Sequence, residues 1–189
     1  MKKDRKNIIL QSLASMLEDR NLSKITTALL AEKSGITEAA LYRHFPSKRS
    51  IYAELFSFCD DAIFAKCNEL KKNKMSAKDK TKNAFVFFMM FVEKNKGFAR
   101  LLSREALSTN EQNVSDNVNQ FYERFELILR QILKEDAENL TTQPGISAQL
   151  IVTVIEGNIS RYIRSKFKVS PSTYIENVWE LLSVSIFKN

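Results

Sequence analysis

The chain has 189 residues, enough for one domain with a sizeable core or two small domains sharing one. Its 44% hydrophobic and 27% charged residues exclude wholesale disorder, and only 4 glycines and 3 prolines argue against a turn-rich all-β fold and for long helices. Lysine and arginine (29) outnumber aspartate and glutamate (22), and the resulting +7 points to a polyanionic partner.

In chain order, a first helix is predicted over about residues 5–19, where Ile8, Ile9, Leu13, Met16 and Leu17 fall on one stripe. Residues 19–24 read as a loop. Thr26 can cap a second helix, Thr27–Lys33, its hydroxyl accepting from a first-turn amide. Ser34-Gly35 ends that helix, because glycine accepts the left-handed conformation of a sharp stop. Thr37 caps a third helix, Glu38–Phe45; Pro46 stops it, and Ser47 caps a fourth over 48–73. Lys71 to Lys82 reads as a lysine-rich hinge. A fifth helix over 77–94 carries the apolar run Phe85–Val92, which reads as buried core on one face while another face can line a groove; Asn95-Lys96-Gly97 breaks it. Further helices are predicted over 98–107, 112–136, 147–167 and 172–187, with joints at Thr141–Gly145 and Ser170-Pro171. No internal repeat and no alternating strand pattern occurs, so the expected fold is all-α with about nine helices.

Several classes drop out. No apolar stretch approaches the ~20 residues needed to span a bilayer, and polar residues interrupt any signal-peptide core. Cys59 and Cys67 would stand ~12 Å apart on a straight helix, too far for a disulfide, and read as reduced thiols of a cytoplasmic protein. One histidine and no Cys/His cluster argue against zinc. No phosphate loop or nucleophile–base pair suggests an enzyme, so neither a cofactor nor a metal is expected.

The positive charge is uneven. Residues 1–50 hold ten bases and five acids, +5, while the other 139 residues hold 19 and 17, only +2. The same quarter contains Ile25–Lys48, two short capped helices joined at a glycine, with Leu29, Leu30, Ile36 and Leu41 as packing residues. This is helix-turn-helix patterning, in which the second helix enters a DNA major groove. Thr37, Glu38, Ala39 and Ala40 would meet base edges. Thr26 or Thr27 can bind a phosphate, Tyr42 and His44 offer donors at the groove wall, and Lys48 places a cation near the backbone. Arg43 can pair with guanine or hold a phosphate. The competing reading of Tyr42 and His44 is an ordinary polar face.

Two apolar stripes point to self-association. Ile151, Ile155, Ile159, Tyr162 and Ile163 form one, and Ile175, Val178, Trp179 and Leu182 the other. Two such helices from each chain make a four-helix interface. Gly157, costly in a helix, suggests close helix approach. Intramolecular core is the competing account of part of each stripe.

The segment Leu41-Tyr42-Arg43-His44-Phe45-Pro46-Ser47-Lys48 resembles the signature of the TetR family of helix-turn-helix regulators. Ile9–Ala14, Glu38–Lys48, Asn119–Arg124, Leu129–Leu133 and Glu156–Lys168 extend the resemblance to the nucleoid occlusion factors within that family. The resemblance implies a DNA-binding domain over residues 1–50, its fourth helix continuing into a core of residues 51–189 that dimerises and binds a partner. It implies a cytoplasmic, nucleoid-associated homodimer that binds palindromic chromosomal sites, with room for two dimers per site. When DNA-bound, it would engage the C-terminal tail of FtsZ and disrupt FtsZ polymers. The partner surface so implied lies between the fourth and fifth helices, with Phe58, Lys66, Phe87, Met90, Lys94 and Asn95. Here Lys66 and Lys94 replace arginines, Met90 a glycine and Phe87 a smaller aliphatic residue; lysine keeps the charge but loses the bidentate fork. The alternative is a conventional repressor released from DNA by a small molecule bound beneath the fifth helix.

Overall fold

The computed structural model describes residues 2–18, 25–107 and 112–188. They form α1 (Lys2–Glu18), α2 (Thr27–Lys33), α3 (Glu38–His44), α4 (Lys48–Lys72), α5 (Ala77–Lys94), α6 (Lys96–Leu102), α7 (Gln112–Leu133), a 3-10 helix (Lys134–Asn139), α8 (Pro144–Arg164) and α9 (Ile175–Ile186). One antiparallel bridge joins Leu140 to Phe187. The fold is all-α, as expected. Contacts divide the chain into two units, residues 1–60 with 95–118 and residues 61–94 with 119–189.

In the first unit α1 packs on α2 and α6, and α2 packs on α3. Ile9, Leu13, Met16 and Leu17 are buried, but Ile8, expected beside them, is 39% exposed because one residue turns the side chain about 100° round the helix. The predicted loop at 19–24 lies outside the described residues. The chain breaks at Asn95 (φ −124°, ψ 67°), not at Gly97, which lies inside α6. A Cβ at Gly97 would stand 2.9 Å from the Ala14 carbonyl oxygen, so this glycine permits contact between α6 and α1. The helix expected over 98–107 ends at Leu102, and Arg104 takes a left-handed φ of 62°.

In the second unit α8 and α9 pack on α5. Phe85, Phe88, Met89 and Val92 supply the inner face of α5. The Phe88 ring lies 5.6 Å from Phe121 and 5.0 Å from Phe125, and Phe85 lies 6.1 Å from Trp179. The lysine-rich hinge is not a hinge: the link between α4 and α5 is only residues 73–76. Ser76 starts α5, accepting from the Asp79 amide at 3.0 Å and donating to the Asp79 carboxylate at 2.7 Å. Several of these lysines, on α4 and α5, meet partners on other elements. Lys71 donates to Gln131 (2.6 Å), Lys82 pairs with Glu176 (2.7 Å), and the buried Lys80 pairs with Glu135 (2.7 Å). Pro144, expected at a joint, opens α8 at a position whose amide would have no helical partner. Phe187 leaves α9 for the bridge to Leu140.

Cys59 and Cys67 are both buried, and burial pushes each thiol up to about 12. Among the described residues no helix is long and apolar enough to cross a membrane.

Candidate nucleic-acid interface

The caps read from the sequence form as expected. The Thr26 hydroxyl accepts from the Leu29 amide at 3.1 Å, and the Thr37 hydroxyl from the Ala40 amide at 3.2 Å. Gly35, at φ +66°, turns the chain so that the Ile36 amide reaches the Ala31 carbonyl at 3.0 Å. Ser47 and Ser50 cap α4 reciprocally, each hydroxyl accepting from the other residue's amide at 3.1 and 3.2 Å. Leu30, Ala31, Leu41 and Phe45 are buried between these short helices, which orients α3.

That orientation leaves Thr26, Thr37, Glu38, Ala39, Tyr42 and Arg43 exposed, with Thr27, Ala40, His44 and Lys48 half-buried. The Lys48 ammonium lies 5.3 Å from the centre of the Tyr52 ring, which holds its stem at the start of α4. α3 carries Glu38 in its first turn and Arg43 and His44 in its last, the favourable order for the helix dipole.

One arrangement was not legible in the sequence. The Tyr42 hydroxyl donates to the Thr27 hydroxyl at 3.4 Å, and Thr27 donates to the Glu38 carboxylate. Thr27 has one hydroxyl hydrogen, and it goes to Glu38. The Thr26 hydroxyl accepts from Leu29 and, among the described residues, donates its hydrogen to no other group. Nor are all the bases of residues 1–50 available to an anion. Lys6 bonds Glu54 at 3.1 Å and sits 4.9 Å from the Phe45 ring centre.

The stripes expected at a dimer interface are largely the chain's own core. Ile151, Ile155, Ile159, Tyr162, Ile163, Ile175, Trp179 and Leu182 are buried inside the second unit, and only Val178 is partly exposed. They pack inward because α8 and α9 lie on α5. The apolar residues left outside are Ile146 and Leu150 on α8 and Leu181 and Val184 on α9, the last two 73% and 61% exposed. A Cβ at Gly157 would meet nothing within 4 Å, so among the described residues no other helix approaches there. The missed signal is that α9 is apolar beyond its stripe, as Leu181 and Val184 show; a helix apolar on more than one face has more than one surface to cover.

Of the partner-surface residues, Phe58 is exposed on α4 in the first unit, and Asn95 is half-buried there. In the second unit Lys66 pairs with Glu69 at 2.8 Å. The Phe87 and Phe91 rings lie 6.0 Å apart along α5, tilted by 37°, Met90 is 45% exposed, and Lys94 is exposed.

Two capped helices meeting at a glycine turn, with the second exposed and a cation opening the next, define a helix-turn-helix DNA-binding regulator. Residues 9–55 match the family described as "Bacterial regulatory proteins, tetR family", and residues 78–186 match "Tetracyclin repressor-like, C-terminal domain". The chain is 36% identical over 190 residues to the nucleoid occlusion factor SlmA of Vibrio vulnificus (strain YJ016), covering 98% of this chain and 97% of that one. It is 37% identical to SlmA of Vibrio campbellii (strain ATCC BAA-1116), with the same coverage. Among solved structures, NalD, the secondary repressor of the MexAB-OprM multidrug efflux pump in Pseudomonas aeruginosa, superposes with a TM-score of 0.80 at 15% identity, over 99% of both chains. The chain belongs to the TetR family and, within it, to the family of SlmA nucleoid occlusion factors.

Proposed function

We propose that this protein is a dimeric nucleoid occlusion factor. It binds palindromic duplex sites on the chromosome and, when bound, engages the C-terminal tail of FtsZ and disrupts its polymers, so that septa do not form over DNA. The observation that supports this reading most is the reach of the likeness to SlmA, which covers 98% of the chain and so includes the region beyond the DNA-binding helices. The outer face of α5 is suited to a peptide: Phe87 and Met90 offer apolar contact, and Lys94 offers a cation for an acidic side chain or a terminal carboxylate.

Residues 1–50 carry DNA binding in this reading. Thr26 and Lys48 hold phosphates, α3 enters the major groove, and Arg43 meets guanine or a phosphate. Two copies associate through the faces of α8 and α9 that this chain leaves uncovered, Leu150 and Gly157 against Leu181 and Val184. Twofold symmetry then presents two recognition helices to a palindrome.

Sedimentation of FtsZ polymers, with and without this protein and its site DNA, tests the proposal. Loss of pelletable FtsZ only when protein and DNA are both present is expected. Lys94→Glu and Phe58→Glu should each restore polymer while sparing DNA binding, and Arg43→Ala should weaken DNA binding while leaving the dimer intact. Polymer that persists with the wild-type protein and DNA rejects the FtsZ assignment.

A further inference from the structure

We infer that Glu38 is the residue through which the recognition helix selects a cytosine, and that Thr27 and Tyr42 position it. This rests on the helix-turn-helix reading above. The starting observation is the ordered chain of donors, Tyr42 hydroxyl to Thr27 hydroxyl to Glu38 Oε1. Thr27 lies on the supporting helix α2, Glu38 and Tyr42 on α3, so the relay crosses the turn and fixes the carboxylate relative to the whole motif.

Glu38 is exposed, and among the described residues it meets no cation. A carboxylate brought to DNA without a cation is repelled by every phosphate. It is tolerated only where a donor on the nucleic acid meets it. In the major groove guanine shows two acceptors, N7 and O6, and thymine shows O4 and a methyl group. Adenine offers its N6 amine beside the N7 acceptor. Cytosine offers its N4 amine as its only hydrogen-bonding group there. A carboxylate with Oε1 engaged by Thr27 therefore discriminates against guanine and thymine by repulsion, and against adenine by the neighbouring N7. Cytosine is the base it accepts. The relay matters because a free glutamate would swing away from a mismatched base, while one held by Thr27 cannot do so without breaking a hydrogen bond.

The test is selection of full-length protein on a pool of randomised duplexes, read by sequencing the bound fraction. Wild-type protein should enrich a half-site with one position held as cytosine. Glu38→Gln should relax that position alone, lowering the preference for cytosine about fivefold to tenfold and admitting adenine, which an amide pairs well. Thr27→Val should weaken the same preference in part, and Thr27→Ser should restore it. Circular dichroism of each variant establishes that it is folded. A profile in which Glu38→Gln leaves every position unchanged, or lowers all positions equally, overturns the inference and leaves the DNA-binding reading standing. A wild-type protein that enriches no duplex overturns that reading and the inference with it.

Discussion

Gly97 on α6 lies so close to Ala14 on α1 that a Cβ added there would come within 2.9 Å of the Ala14 carbonyl oxygen and 3.3 Å of the Leu17 Cβ. The obstacle is backbone, which cannot turn aside as a side-chain tip can. α1 carries the helix-turn-helix on its other contacts, so this glycine links the packing of α6 to the placement of α2. Gly97→Ala should cost about 1–3 kcal/mol, the usual penalty of overpacking a tight contact. Thermal denaturation would show it as a lowered Tm, with a parallel loss of DNA affinity. An unchanged Tm would mean that α1 and α6 separate freely.

The buried ammonium of Lys80 depends on one carboxylate. Glu135 lies 2.7 Å away, and the Lys71 carbonyl is a weaker partner at 3.4 Å. Glu135→Ala leaves a buried cation poorly matched and should cost about 1–2 kcal/mol, below the fully buried case because Glu135 is 43% exposed. Lys80→Met removes the charge but keeps the volume, and the double variant should be more stable than Glu135→Ala alone. Urea denaturation of the four proteins completes the cycle.

A single carboxylate ties the loop between α8 and α9 to α5. The polar side chains of Ser170 and Ser172, opposed by burial and aided by the Ser172 amide and by Lys94, hold the Glu93 carboxyl below its ordinary value of 4.5. The same loop carries Lys166 and Phe167, which both take left-handed φ, 59° and 60°. A carboxyl depressed in the folded state contributes stability that is complete above about pH 4.5 and lost as pH falls through the depressed value. Glu93→Gln should therefore lower stability at pH 7 and flatten its decline below pH 4.5. Chemical denaturation across pH 3–7 reads both effects; parallel curves for the two proteins would reject the tie.

The outward faces of α8 and α9 make a separate prediction. Leu181→Glu should dissociate a dimer into folded monomers, because Leu181 is 73% exposed within the chain and its replacement disturbs no internal packing. Ile155→Glu should instead prevent folding, because Ile155 is fully buried. Analytical ultracentrifugation with circular dichroism separates the two. A Leu181→Glu protein that stays dimeric would move the interface elsewhere.

Much of the DNA-binding motif was legible in the amino-acid order because its determinants are local. Thr26, Thr37 and Ser47 satisfy amides three residues on, and Gly35 meets a backbone angle costly to other residues; none of these depends on what the helices pack against. The Ser76 cap and the break at Asn95 that bound α5 are local in the same way, though of the two only the break was read from the sequence. Partners distant in the chain were not legible. Lys80 looks like a hinge lysine until Glu135 is brought beside it, and Gly97 looks like a breaker until α1 lies against it. Periodicity groups Ile151, Ile155 and Ile159 on one face of a helix, but it carries no information about whether that face meets its own chain or another copy. Only the packing of α8 and α9 on α5 decides that, because burial is a property of two surfaces and a sequence stripe describes one.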